Sequence, residues 1–473
     1  MSARDDDAGG APNEMTDHGW SRRDVLRHGA TAVAGGAAIL GGAAPAFAQA
    51  PAIQTGTQAG RTFRAFVSPP NLRPRSIETV TLRAVQPHQV VIRTEAAQAC
   101  YSIVNLLAPP APPAAPVVAP GAPPPVAVPA AAVAPIGGHG GVGIVEAIGS
   151  AVRRVQVGDR VIVPVTANCG QCWNCQRGRG DFCTAAAGRN NAPVADMADG
   201  TPVTGTTGGF AELMIAWEEQ TVPVAVDASP AELSLLSCVM STGLGLALKR
   251  LPIEPGSDVL VLGAGPLGLS AVQGARIQGA AQIIVVEPVP YRRELAMKVG
   301  ATTVLDPNQF SLPELTTKIR ELCMPKINRS FAGGRGPNAA AYGPMYTLEA
   351  VGGDRFPPKV PSGPDPTGVQ SLQLAWNVCP TGGIIRTCGV GQGASKTVTF
   401  PAGQWANAGK THLPGNFAGV NTFRDLPIFA RFIDTKQFDA KSLVGQTFPL
   451  ERAKDALQAA ADRTTISTVV TFT

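Results

Sequence analysis

From residue 258 onward, short apolar runs alternate with Ala-rich stretches of helical length. Residues 259–262, after Asp258, and 283–286 are continuous runs of Val, Ile and Leu, the pattern of strands buried on both faces. The alternation resumes at 346–351 and 383–390 and predicts a parallel α/β sheet, interrupted by a Gly/Asn/Ala-rich insert at 322–345. The earlier half reads differently. Residues 61–105 alternate apolar and polar, with 89–93 the clearest strand, and 136–225 break into short strands, turns and a Cys-rich lobe. One helix is expected over 230–240. After 417 the pattern predicts helices near 423–433 and 450–461 and a closing strand over 467–472. Residues 107–135 are almost entirely Ala, Pro and Val. Proline lacks an amide donor and fixes φ, so this stretch reads as an extended surface insert within a domain, long enough to cover a cleft.

Composition sets the limits. The chain has 473 residues, 44% apolar and 15% charged, enough for two domains with real cores and incompatible with global disorder. The net charge of +5 is dispersed, and no basic run carries interleaved aromatics, which argues against nucleic acid as a partner. The N-terminus reads as a targeting segment. Ser21-Arg22-Arg23-Asp24-Val25-Leu26 resembles a twin-arginine export motif, an uncharged Ala/Gly-rich stretch covers 29–48, and Ala46-Phe47-Ala48 is a small-x-small cleavage pattern. Residues 1–48 are therefore expected to be a signal peptide handled by the twin-arginine machinery, which places the mature chain in the periplasm or another extracytoplasmic space. A tail with a chance arginine pair, or an uncleaved membrane anchor, are the alternatives; the stretch is only weakly hydrophobic for the latter.

Two sets of metal-ligand candidates stand out. Cys169, Cys172, Cys175 and Cys183 have the spacing of four thiolates around one tetrahedral zinc, a closed and hence structural site. A disulfide pair is the competing reading, which export favours, although two cysteines separated by two residues bridge each other poorly. Cys100, His139 and Cys238 are far apart in sequence. His139 lies among glycines (Gly137, Gly138, Gly140, Gly141) that let backbone approach closely, and Cys238 precedes Ser241-Thr242-Gly243 at the entrance to the α/β half. Two sulfurs and one imidazole leave a fourth position open, as a catalytic zinc requires. Cys323, Cys379 and Cys388 lack ligand spacing and read as core or loop residues.

The apolar run at 258–262 leads into Gly263-Ala264-Gly265-Pro266-Leu267-Gly268 and an Ala-rich helix, the strand–turn–helix context of a dinucleotide fingerprint. Free amides at that helix start would face the pyrophosphate. The next strand ends in Glu287, whose carboxylate can accept from ribose hydroxyls and repel a 2′-phosphate, favouring NAD; Arg292 and Arg293 keep NADP open. A glycine turn with no ligand is the plain alternative.

From about 61 to 473 the chain resembles the zinc-containing medium-chain alcohol dehydrogenases. The resemblance rests on Gly138-His139 through Ile144-Val145-Glu146, on Val157-Gly158-Asp159-Arg160-Val161, and on the four-Cys lobe, the Cys238 segment and the Gly263 turn. It implies an α/β fold: a GroES-like, mainly-β catalytic domain over 61–240 holding the zinc lobe 169–183, a Rossmann doubly wound parallel sheet over 241–416, and a return to the catalytic domain over 417–473. It also implies a homodimer or homotetramer, and a zinc on Cys100, His139 and Cys238, the ligand set of alcohol dehydrogenases. Ser102 matches the family's proton-relay hydroxyl, and Thr242 a residue against the nicotinamide.

Departures are equally specific. Tyr101 and Ser467 stand where relatives often place pyrophosphate arginines. Asn105 replaces a relay histidine, Ile103 an acid bonded to the zinc histidine, and Gly140 a glutamate beside it. Val165 replaces an aromatic that narrows the substrate pocket, which leaves room for a bulky or secondary alcohol. Three functions follow as expectations. The first is an exported zinc- and NAD-dependent alcohol dehydrogenase. It would retain its cofactor as a nicotinoprotein if export of the folded chain governs, and release it if the lost arginines do. The second is a carbonyl reductase of the same family. The third is a non-catalytic exported binding protein that keeps the fold.

Overall fold

The computed structural model describes residues 58–109, 133–185, 192–205, 207–250, 252–323, 342–354, 359, 363–389 and 397–472. The signal peptide expected over 1–48, and most of the inserts expected at 107–135 and 322–345, lie outside the described residues.

Six parallel strands form the sheet of the second half, in the spatial order Thr303–Leu305, Gln282–Val286, Asp258–Leu262, Tyr346–Glu349, Ile384–Thr387, Thr411–Pro414. This is the doubly wound 3-2-1-4-5-6 order, with its switch point between Asp258–Leu262 and Tyr346–Glu349. The central strands run as unbroken apolar segments because helices cover both faces. Val259, Leu260, Val261 and Ile284 are fully buried.

The first half is mainly antiparallel and built on one long strand, Gln89–Gln98. It extends five residues past the expected 89–93. It pairs with Leu213–Trp217 over its first half and Thr468–Thr471 over its last residues, while Gly141–Ile148 runs along its other edge. The change of partner is what carries the chain onward to Cys100. A separate five-stranded sheet contains Thr62–Val67, Ser76–Leu82 and Pro193–Met197. The chain's last strand thus closes the antiparallel half, and helix Ala453–Asp462 packs over the turn Tyr101–Leu107.

The helix expected over 230–240 is corrected. Pro230–Ser234 starts well, with Pro230 in the first turn and a reciprocal Ser229/Glu232 cap. It tightens into a 3₁₀ turn, Leu235–Ser237, and stops at Cys238, whose φ −145° and ψ −81° are not helical. A second helix, Val239–Leu248, leaves at 61° to the first segment. It packs on Pro266–Ile277 so closely that a Cβ on Gly243 would collide with the Leu267 carbonyl oxygen. Among the described residues, no single helix is long and apolar enough to cross a membrane.

The turn that carries His139 leaves equally little room. Gly140 has φ +86°, and a Cβ there would meet the Val163 carbonyl oxygen. Left-handed backbone and a blocked Cβ direction act together, so Gly140→Ala is expected to destabilise the chain by roughly 2–4 kcal/mol, read as a lower urea midpoint. An unchanged midpoint would show that the turn has space to spare.

Candidate active site and metal centres

Three elements converge on one point. Cys100 follows the end of strand Gln89–Gln98, His139 stands in the glycine turn before Gly141–Ile148, and Cys238 sits at the helix break. Their ligand atoms all lie within 4.8 Å of one another. Ser102 Oγ lies 2.6 Å from His139 Nε2 and donates to Cys100 Sγ at 3.2 Å. His139 Nδ1 is buried with no hydrogen-bond partner. Sharing a proton with Cys238 holds the Cys100 thiol well below the usual thiol range, and the same contact drives Cys238 well above it. Burial opposes a charge on His139, yet the adjacent Cys100 sulfur raises its pKa. A partly buried cluster of two sulfurs and an imidazole therefore fits a divalent cation, which would neutralise both thiolates at once.

The four-Cys lobe is a second such cluster, with all four Sγ within 4.8 Å of one another. None is in a disulfide; the Sγ atoms of Cys172 and Cys183 stand 4.0 Å apart. Backbone amides turn toward sulfur: Gln171 and Cys172 donate to Cys169 Sγ, and Cys175 to Cys172 Sγ. Burial works against a charge on Cys172, but the backbone amides of Cys175 and Thr184 outweigh it and bring the thiol to about 6. Cys175 is pushed up to about 12, by burial first and then by its neighbouring thiols. Such a cluster can ionise fully only around a cation, and its donors suit zinc.

Cys100, Ser102 and Cys238 line a cavity of about 510 Å³ that also takes in Thr242, Gly263, Gly265, Pro266, Leu267, Glu287 and Arg292. Gly263 has φ +87°, and a Cβ on Gly268 would collide with the Gly263 carbonyl oxygen, so the helix can start hard against the strand. Glu287 is buried, and its carboxylate first serves this turn. It accepts from Ala264 N at 2.6 Å and from Val289 N at 2.9 Å. Arg293 points away, paired with Asp306 at 3.2 Å, whereas Arg292 lines the cavity with its Nε donating to the Tyr291 hydroxyl. Glycine turn, free helix start and carboxylate fit a dinucleotide.

Residues 86–226 match the alcohol dehydrogenase GroES-like domain, and residues 266–358 match the zinc-binding dehydrogenase domain. The chain belongs to the zinc-containing medium-chain alcohol dehydrogenase family. It is accordingly an oxidoreductase. A probable alcohol dehydrogenase from a Pseudomonas species is 37% identical over 199 residues, which is 39% of this chain and 61% of that protein. An Escherichia coli S-(hydroxymethyl)glutathione dehydrogenase is 28% identical over 345 residues, 71% of this chain and 84% of its own length. In structure the chain is similar to benzyl alcohol dehydrogenase from Acinetobacter calcoaceticus, with TM-score 0.68 and 24% identity over 87% of this chain and all of that one.

The departures seen in this family member's sequence have structural counterparts. With Ile103 in place of an acid, nothing bonds His139 Nδ1. Gly140 cannot carry a side chain at all. Asn105 is exposed, and Thr242 Oγ1 donates to the Cys238 carbonyl, tying the helix start to the ligand loop. Cys323 and Cys379 are buried as expected, but Cys388 is not simply a core or loop residue: it lines the cavity. Burial, with Glu349 nearby, pushes its thiol up to about 12.

Two residues carry no sequence signal that would single them out. Arg463 lines the cavity from the C-terminal segment. Glu349, fully buried at the end of its strand, accepts from Val351 N at 2.9 Å, Ser371 Oγ at 3.0 Å and Gly389 N at 3.2 Å. It thereby ties two cavity-lining loops together. Burial raises its pKa to about 7 despite these bonds. A carboxyl raised in the folded state favours folding while protonated, and that advantage is lost as pH climbs from its unfolded value through 7. Glu349→Gln stays neutral, so its urea midpoint should gain on the wild type between about pH 5 and about pH 8. Parallel pH profiles of the two proteins would contradict this.

Proposed function

We propose that the chain oxidises an alcohol, and in reverse reduces the matching aldehyde or ketone, with a nicotinamide dinucleotide as hydride carrier. The observation that carries this reading is the convergence of Cys100, His139 and Cys238 on one point, with Cys100 and Cys238 in the wall of the cavity onto which the Gly263 turn opens. Zinc held there supplies a Lewis acid for the substrate oxygen. Ser102 Oγ, in the cavity wall beside the ligands, is the group that takes the alcohol proton. Thr242 presents the start of its helix to the nicotinamide end. Val165 and Phe417 form an apolar wall with no aromatic at 165 to narrow it, which suits a bulky or secondary alcohol.

Glu287 supports NAD over NADP, since a 2′-phosphate would have to approach a buried carboxylate that, among the described residues, forms no ion pair with an arginine. The Arg22-Arg23 pair supports export of the folded chain, and with it retention of cofactor, because free nicotinamide nucleotide is scarce outside the cytoplasm. Purified protein should then release two zinc ions and nicotinamide nucleotide per chain when denatured. One zinc confined to the four-Cys lobe, and no nucleotide, would favour the non-catalytic reading.

Cys100→Ala is expected to drop the zinc content from two to one per chain, abolish turnover and leave the melting curve close to wild type. Full activity in that variant would overturn the ligand assignment. Ser102→Ala, with both zinc ions kept, should lower kcat about 100-fold, most strongly at low pH where the proton is hardest to shed.

A further inference from the structure

Helix Ala453–Asp462 ends in an unusual way. Its C-terminal flank, Arg463, adopts φ 57° and ψ 26°, the left-handed conformation that glycine ordinarily supplies at such an end. A long side chain there works against backbone preference, so its contacts merit scrutiny. Arg463 is only 6% exposed. Its Nη2 donates to the Tyr101 hydroxyl at 3.0 Å and pairs with Asp354 Oδ1 at 2.5 Å, and the guanidinium lies over the Tyr101 ring at 4.9 Å. Its Nη1 is buried with no hydrogen-bond partner. The residue also lines the cavity that contains the Gly263 turn.

A dinucleotide brings two negative charges to that turn. Of the described residues lining the cavity, only Arg292 and Arg463 are basic. Arg292 follows Glu287 at the ribose end and lies on the Rossmann side. The antiparallel half offers Tyr101 and Ser467 where arginines would otherwise reach the diphosphate, and the Ser467 hydroxyl is already donated to the Leu443 carbonyl. Arg463 touches Tyr101, stands four residues before Ser467 in the chain, and lines the same cavity as both.

We propose that Arg463 is the diphosphate-binding cation of this chain. It takes over from a new backbone position the charge missing at 101 and 467, with Tyr101 stacking beneath it and Asp354 holding it when no nucleotide is bound. A planar fork with a spare Nη1 suits bidentate recognition of phosphate oxygens. The proposal rests on the dinucleotide reading of the Gly263 turn.

The test is equilibrium binding of ADP-ribose, which carries the diphosphate, and of adenosine, which lacks it, to the zinc-loaded protein. Arg463→Gln should weaken ADP-ribose about 10- to 100-fold and leave adenosine unchanged, and Arg463→Lys should recover part of the loss. Asp354→Asn, which frees the guanidinium without touching it, should tighten ADP-ribose alone, and it keeps the test open if Arg463→Gln folds poorly. Equal losses for both ligands, or no loss, would assign Arg463 to structure and overturn the proposal. If the wild type binds neither ligand, the dinucleotide reading itself fails and the proposal falls with it.

Discussion

Two cysteine sulfurs and an imidazole, gathered within 4.8 Å of one another and largely withdrawn from solvent, set the terms for the rest of the structure. Burying such groups is unfavourable unless they share charge with one another or with a metal. Cys100 and Cys238 share charge unequally, one thiol held well below the usual range and the other well above it. The local backbone serves the same convergence. Strand Gln89–Gln98 runs long enough to deliver Cys100, left-handed glycines let His139 approach, and the helix breaks at Cys238 so that its sulfur can turn inward.

The cofactor side obeys a different constraint, that of a parallel sheet with a switch point. Where Asp258–Leu262 and Tyr346–Glu349 part, their loops leave in opposite directions and open a crevice. Buried carboxylates at the strand ends keep that crevice in shape. Glu287 accepts the Ala264 amide of the glycine turn and the amide of Val289, and Glu349 accepts those of the two loops facing it. Acids placed this way bond backbone rather than cations. They fix the loops against which a nucleotide would lie, and Glu287 is an acid in the cavity wall, which makes the few arginines in that wall matter more.

Strong periodicity was legible in the sequence. The unbroken Val/Ile/Leu runs announced the parallel sheet, and the four-Cys spacing announced a cluster whose sulfurs do gather. What stayed hidden depends on tertiary context. Residues 230–240 read as one helix because every side chain there suits a helix; the break comes from the need to aim Cys238 and to seat Gly243 against Leu267. Glu287 was legible as an acid after a strand, but not its commitment to Ala264 and Val289. Arg463 was silent because it belongs to no motif, and its neighbours Tyr101 and Asp354 come from segments more than a hundred residues away.

The altered surroundings of His139 bear on how such a centre would behave. A carboxylate on the far ring nitrogen makes a ligating histidine more basic and fixes its tautomer. Here Ile103 offers no acceptor, Nδ1 is unpartnered, and Gly140 has no space for a side chain that could substitute. The ring is oriented instead by the glycine turn. An imidazole held by packing donates less electron density than one held by a carboxylate. A metal on this ligand set would therefore be bound less tightly and would be the more electrophilic for it. Strong polarisation of a bound oxygen and loose retention of the ion would thus share one cause, the isoleucine that stands three residues after Cys100 and leaves Nδ1 without an acceptor.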